Sequence, residues 1–137
     1  MAIPVMFDAF TEAVGEGIHN LGSDQLTIAL TNVAPVVGNS VIADITQISY
    51  TNCGNRDLTT SSSSQTGGVY TLVIANKSIT ASGGSVGPFR YLVVYNSTTV
   101  SGNLIFYVDY GSALTLIDTE SVDITFDAVN GMIKIQQ

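Results

Sequence analysis

Two apolar stretches, FRYLVVYN (residues 89–96) and LIFYVDYG (residues 104–111), are separated by the short polar segment STTVSG. Both stretches are rich in β-branched and aromatic residues, which favour strands. A turn-prone gap of this length is typical of a β-hairpin. FRYLVVYN does not alternate between polar and apolar residues, so it predicts a strand that is covered on both faces. The two stretches therefore predict an antiparallel hairpin in the core of the fold.

Further strand patterns surround this hairpin. SVDITFDA alternates cleanly, which predicts Val122, Ile124 and Phe126 on the core face and their neighbours on the solvent face. Short runs bounded by Gly, Asn, Ser and Thr are the signature of an antiparallel sandwich or a related sheet pair. We predict an all-β fold, an antiparallel β-sandwich for which a jelly-roll topology is open. The remaining runs after residue 68 are VYTLVIA, KSITAS, ALTLI and MIKIQQ.

Two segments depart from the strand pattern. Apolar residues spaced three and four apart predict one short amphipathic helix over residues 5–15, which glycines at positions 15 and 17 end. Residues 59–68 contain only Ser, Thr, Gln and Gly, a composition that predicts a mobile loop. Neither flank of this loop could form an independent core, so residues 1–137 are expected to be a single domain.

Arg90 is one of only four Lys and Arg residues, and it lies between two aromatic residues. Centring the hairpin turn between Thr99 and Val100 places Arg90 opposite Asp109. Opposite charges across a strand pair are stabilising. We predict a structural ion pair at the far end of the hairpin. The rival interpretation is an interface arginine that reaches a neighbouring subunit.

The composition excludes several classes of function. The net charge is −7, so the chain cannot offer the basic surface that a nucleic-acid-binding protein or a polybasic membrane anchor needs. A lone cysteine, Cys53, rules out an intrachain disulfide. The N-terminus lacks the basic region of a signal peptide, and no apolar run is long enough for a membrane helix. We expect synthesis in a reducing cytoplasm and no membrane or nucleic-acid partner.

No motif predicts catalysis, a metal site or a cofactor. His19 is the sole histidine and is not accompanied by a nucleophile motif. Cys53 has no second sulfur or nearby histidine for a zinc or redox site. Asp118 and Glu120 could contribute to calcium binding, but the spacing of an EF-hand is absent. Each fits a turn position equally well. We expect a non-enzymatic protein with no catalytic, cofactor or metal residues.

The order of the segments carries a family resemblance. The chain opens with FDAFTEAVGEGIHNLGSDQLTIALTN (residues 7–32), continues with FRYLVVYN and LIFYVDYG, and closes with ITFDAVNGMIKI (residues 124–135). This series resembles small virion proteins of tailed bacteriophages, of the capsid decoration or cement type. Residues 34–68 do not match the pattern. The shared motifs are structural, not catalytic.

The resemblance implies a structural protein on the exterior of the mature virion. Such a protein would bind the major capsid protein, stabilise the shell and act as a homo-oligomer, with a trimer favoured. The N-terminal segment offers an interface: we expect Ile3, Val5, Met6, Phe7 and Phe10 to contact either a neighbouring subunit or the sandwich of their own chain.

Two alternatives are open. A tail or head-fibre component would have the same body in fewer copies. A carbohydrate-binding β-sandwich module is disfavoured because the chain has no Trp, although its six Tyr residues could stack on sugars.

Overall fold

The computed structural model describes residues 4–126 and 133–135. These residues are mostly strand with one short helix, which confirms the predicted all-β class. In these two ranges the chain forms helix α1 (Asp8–Gly15) and strands β1 (Val5–Met6), β2 (Leu26–Thr31), β3 (Thr60–Thr66), β4 (Val69–Ile74), β5 (Lys77–Thr80), β6 (Val86–Asn96), β7 (Leu104–Leu116), β8 (Ser121–Ile124) and β9 (Ile133–Ile135).

The strands form three antiparallel sheets. The largest has the order β1-β7-β6-β2, with the predicted β6–β7 hairpin at its centre. A second sheet has the order β3-β4-β9, and β5 pairs with β8. The main core contains side chains from all three sheets, so the architecture is sandwich-like.

The four-stranded sheet is covered on both faces. Leu92 and Val94 of β6 belong to the main core, whereas Val93 points the other way into a second cluster with Phe7 and Leu104. Every residue of β2 is likewise buried. The continuous apolar run of FRYLVVYN is therefore explained at Leu92, Val93 and Val94, because side chains on both faces of the strand are buried there.

The N-terminal helix is shorter than the sequence predicts. It begins at Asp8 rather than at residue 5, since Val5 and Met6 pair as a strand with β7. Phe7 is still extended, and its N–H donates to the carbonyl of Ile105 at 3.1 Å. Pairing with β7 thus holds these residues in a strand despite their helical spacing.

The prediction of a loop over residues 59–68 is wrong for Thr60–Thr66, which form β3. A two-residue turn, Gly67–Gly68, joins β3 to β4, and both glycines have positive φ (60° and 81°). This is the conformation of a tight type I′ hairpin turn, which glycine adopts without strain. The strand is exposed over nearly its whole length, so backbone pairing with β4 rather than burial holds it.

Candidate functional site

The structure brings Arg90 and Asp109 together in a two-pronged ion pair. Arg90 Nε lies 2.8 Å from Asp109 Oδ1, and Nη2 lies 3.1 Å from Oδ2. The side chains are 41% and 42% exposed, so the pair lies at the surface. The guanidinium carbon is 5.4 Å from the centroid of the Tyr91 ring, which flanks it on one side.

The β6–β7 register differs from the predicted one because β7 has an extra residue, Ile105, near the turn, and a second bulge follows Asp109. Tyr91, not Arg90, pairs with Asp109, and the next pair along is Phe89 with Leu114. Arg90 is therefore the single β6 residue opposite the exposed segment Tyr110–Ala113 of β7. The ion pair closes the base of this bulge. Bulges locally disrupt the ladder and bend the strand.

Asp109 also stabilises the bulge from within. Its Oδ1 accepts a hydrogen bond of 2.8 Å from the N–H of Gly111, whose φ is +98°. The bond from Arg90 and the bond from Gly111 both favour the ionised carboxylate, and they hold the pKa of Asp109 below its usual value. The carboxylate thus satisfies a backbone N–H in a part of the strand where the regular ladder is interrupted.

The structure exposes some residues of the predicted N-terminal interface and buries others. Val5 and Met6 are 37% and 42% exposed, as an interface requires, whereas Phe7 and Phe10 are only 1% and 4% exposed. Phe7 and Phe10 are therefore core residues, and assigning them to an intermolecular interface is wrong: they dock on the sandwich of their own chain. Ile3 lies outside the described residues.

An apolar groove lies between α1 and β9. It has a volume of 250 Å³. We call it the N-terminal groove, and its lining residues are Met6, Phe10, Thr11, Val14, Ile133 and Ile135. Met6 and Ile135 are exposed at its surface, while Phe10 and Ile133 form part of the main core. The groove thus presents apolar side chains to solvent beside a packed core.

A second cavity of 330 Å³ adjoins the N-terminal groove, since Val14 and Ile135 line both. Its other lining includes His19, Ser63 and Tyr70. The Ser63 and Tyr70 hydroxyls are 2.8 Å apart and hydrogen-bonded. The combined surface is therefore apolar beside α1 and includes a pair of hydroxyl groups beside the β3–β4 hairpin.

His19 is used to join two parts of the fold. Its Nδ1 lies 3.0 Å from the Asn96 amide nitrogen, which also donates to Asp24 Oδ2 at 2.6 Å. Since the amide donates, Nδ1 accepts and the proton of the neutral ring is on Nε2. Burial lowers the pKa of His19, against the opposing effect of the Asp24 charge. The histidine ties the turn after α1 to the end of β6.

The other candidates from the sequence have structural contacts. Asp118 accepts the N–H of Gly83 at 2.9 Å, and Glu120 accepts the N–H of Ile117 at 2.9 Å. Cys53 is half-buried, and its burial raises the pKa of the thiol. Among the described residues, no three His, Cys, Asp or Glu side chains are grouped so that they could hold a metal ion.

Sequence reasoning missed a cation–π contact that covers the outer edge of β2. The Arg56 guanidinium carbon lies 3.5 Å from the centroid of the Tyr50 ring, and Nη1 donates to the carbonyl of Ile28 at 2.7 Å. The Tyr50 hydroxyl accepts the N–H of Leu30 at 3.0 Å. Two side chains thus replace strand partners along an irregular segment, an arrangement for which the sequence contains no periodic signal.

The chain matches no protein-family model, no curated protein and no solved structure. In the part of the chain that the structure describes, no helix combines the length and apolar character needed to cross a membrane.

Proposed function

We propose that the protein is a non-enzymatic structural component of a tailed-phage virion, which binds the outer capsid surface and stabilises the shell. The resemblance of the N-terminal and hairpin segments supports the phage assignment. The observation that carries the binding role is the N-terminal groove, where Met6 and Ile135 expose apolar surface beside the core. The proposal includes the homotrimer that the resemblance implies.

The polar side chains considered as candidates for catalysis or metal binding are hydrogen-bonded within the chain, which supports a role in binding rather than catalysis. Arg90, Asp109, Asp118 and Glu120 each have a hydrogen-bond partner inside the chain. His19 contacts an amide and not a nucleophile. These groups hold bulges and turns in place, which suits a rigid body that presents fixed surfaces.

Binding at the groove would stabilise a shell by linkage. An apolar side chain of a capsid subunit that enters the groove would be removed from water, and each buried side chain of this size contributes about 1.5–3 kcal/mol. A ligand that binds only the assembled shell stabilises the shell by mass action. The acidic chain would face away from packaged DNA, which repels it.

The first test is the copy number of the protein in virions purified from the source phage. Quantitative mass spectrometry against the major capsid protein gives this ratio directly. A copy number comparable to that of the capsid protein supports decoration of the shell. A few copies per particle would assign the protein to the tail or head fibres, and complete absence would overturn the proposal.

The second test addresses the groove itself. Met6→Glu and Ile135→Glu are expected to weaken binding to shells that lack the protein by about tenfold or more, because a charge replaces a side chain that is buried on binding. Val100→Glu is the matched control, since Val100 is fully exposed on the β6–β7 turn. Equal binding by all three variants, each with an unchanged melting temperature, would exclude the groove.

A further inference from the structure

The edge strands of this protein differ in how they are protected. The outer edge of β2 is covered by residues 48–58, through the N–H of Ile48, the Tyr50 hydroxyl and the carbonyl of Arg56. The edge of β5 receives a hydrogen bond from the N–H of Gly54. In β7 the bulge and the Asp109 carboxylate interrupt the edge. Natural sheets use such devices to prevent pairing with other chains.

Over residues 62–66, strand β3 shows none of these protections in the part of the chain that the structure describes; its ladder with β4 is irregular between Thr60 and Ser62. It is the last strand of its sheet, it is seven residues long, and it is exposed on both faces. Its sequence, TSSSSQT, contains no charge and no proline. Across the described ranges, no backbone group hydrogen-bonds to its outer edge. A strand of this kind is a template for pairing with another strand.

The free backbone groups follow from the hairpin geometry. Thr66 and Val69 flank the two-residue turn and form a hydrogen-bonded pair, and such pairs alternate along an antiparallel ladder. The N–H and C=O groups of Ser63 and Gln65 must then point away from β4. These two residues present donors and acceptors in the spacing that an antiparallel strand would match.

The charge distribution favours a second copy of the same chain as the occupant. The chain carries a net charge of −7, so most close contacts between two copies are opposed. However, no Asp or Glu occurs between Asp57 and Asp109, a stretch that includes β3 and β4. Small neutral side chains at the edge let two copies approach without like charges opposite each other.

We propose that two copies pair through β3, antiparallel and about a twofold axis at Ser64. Ser63 of one copy then lies opposite Gln65 of the other, and each of the two equivalent pairs exchanges two backbone hydrogen bonds. The three-stranded sheets merge into one continuous sheet. The hairpin is already formed, so pairing requires little ordering. This contact is independent of the proposed role on the capsid.

The first experiment measures the mass of the wild-type chain by sedimentation equilibrium up to millimolar concentration. We expect reversible association to an even number of chains, two if the chain is otherwise monomeric and six if the proposed homotrimer forms, because a twofold edge contact is isologous and closed. A mass that stays at that of the monomer throughout would overturn the proposal.

The second experiment compares Ser63→Pro with Ser63→Ala. Both remove the hydroxyl that bonds Tyr70, but only proline also removes the outward N–H. Loss of this donor in both copies is expected to weaken association by about 30-fold relative to Ser63→Ala. Association of the same strength in two folded variants would show that β3 is not the contact, as would a trimer that neither change affects.

The third experiment tests the register without proline. Ser64 would face itself across the axis with Cα atoms about 4.5 Å apart, which a disulfide can span. Ser64→Cys should therefore cross-link under mild oxidation. Ser62→Cys is the matched control, because its two copies would be roughly 13 Å apart. Cross-linking of both variants to the same extent, or of neither, would overturn the register; the wild-type chain reports any contribution of Cys53.

Discussion

The β6–β7 and β3–β4 hairpins obey different physical rules. In β6–β7, apolar side chains are buried on both faces, and packing determines which residues pair. In β3–β4, one strand is exposed and polar, and two glycines of positive φ determine the register from the turn. Strands in this chain are therefore stabilised in two ways, by burial of apolar side chains in β6–β7 and by turn geometry with backbone pairing in β3–β4.

The largest expected difference between the hairpins is the loss of stability when one side chain of each is truncated to alanine. Phe89→Ala in β6 should destabilise the protein by about 3–5 kcal/mol, since the ring is fully buried and a cavity would remain. Ser62→Ala in β3 should change the free energy of unfolding by less than about 0.5 kcal/mol, because the side chain is exposed. Urea unfolding measures both. Comparable losses would contradict the distinction.

The second-largest effect is expected at the Gly67–Gly68 turn of the β3–β4 hairpin. Gly67→Ala places a Cβ at φ +60°, which costs about 1–2 kcal/mol, although the Cβ would meet no atom within 4 Å. Gly38→Ala is the control: that Cβ also has free space, without a positive φ. Hydrogen exchange of the β3–β4 amides should rise for Gly67→Ala alone. Equal protection of these amides in both variants would show that the Gly67–Gly68 turn does not stabilise the pairing of β3 with β4.

The end of β6 should respond to pH through His19. The folded ring has a lowered pKa because its burial, which includes packing against Phe10, outweighs the opposing effect of the Asp24 charge. Below the unfolded pKa of about 6.5, the unfolded chain binds the proton first, so stability should fall as the pH decreases towards the folded pKa. His19→Gln should remove this dependence. An unchanged slope in the variant would assign the effect to another group.

The surface ion pair should have the smallest effect. The lowered pKa of Asp109 means that its stabilisation is present above the unfolded pKa of about 3.9 and is lost as the pH falls through the folded pKa. Asp109→Asn should therefore be slightly less stable than wild type at pH 7 and equal to it in strong acid. Ser112→Asn, in the exposed bulge, is the control. A difference that persists in acid would indicate an effect other than charge.

Sequence reasoning reached the central features of the fold but not the details of the surface. The strand pattern of FRYLVVYN and LIFYVDYG predicts the core hairpin, which the structure has. The low number of Lys and Arg residues makes Arg90 a candidate for an ion pair, and its predicted partner Asp109 is the one that the structure shows. The bulge that shifts the register by one residue leaves no mark in the apolar pattern. The hydrophobicity of Phe7 and Phe10 leaves open whether a neighbouring subunit or their own chain buries them, and the structure buries both within the chain.

The failure at β3 has a specific cause. The composition of residues 59–68 predicts a loop, since Ser and Thr lack the apolar side chains that usually indicate a strand. The informative signal was Gly67–Gly68, placed next to the apolar run of β4, which is a hairpin signature. Local turn chemistry can thus define a strand that burial does not.

Residue patterns and composition are sufficient to predict the all-β class, the core hairpin and a low cationic content that excludes a basic binding surface. These are local or compositional properties, and they follow from side-chain periodicity and charge. The tertiary fold sets the strand order, the apolar groove beside α1 and the position of β3 at the edge of its sheet. Each of these depends on contacts between segments far apart in the chain, which residue patterns along one strand do not encode.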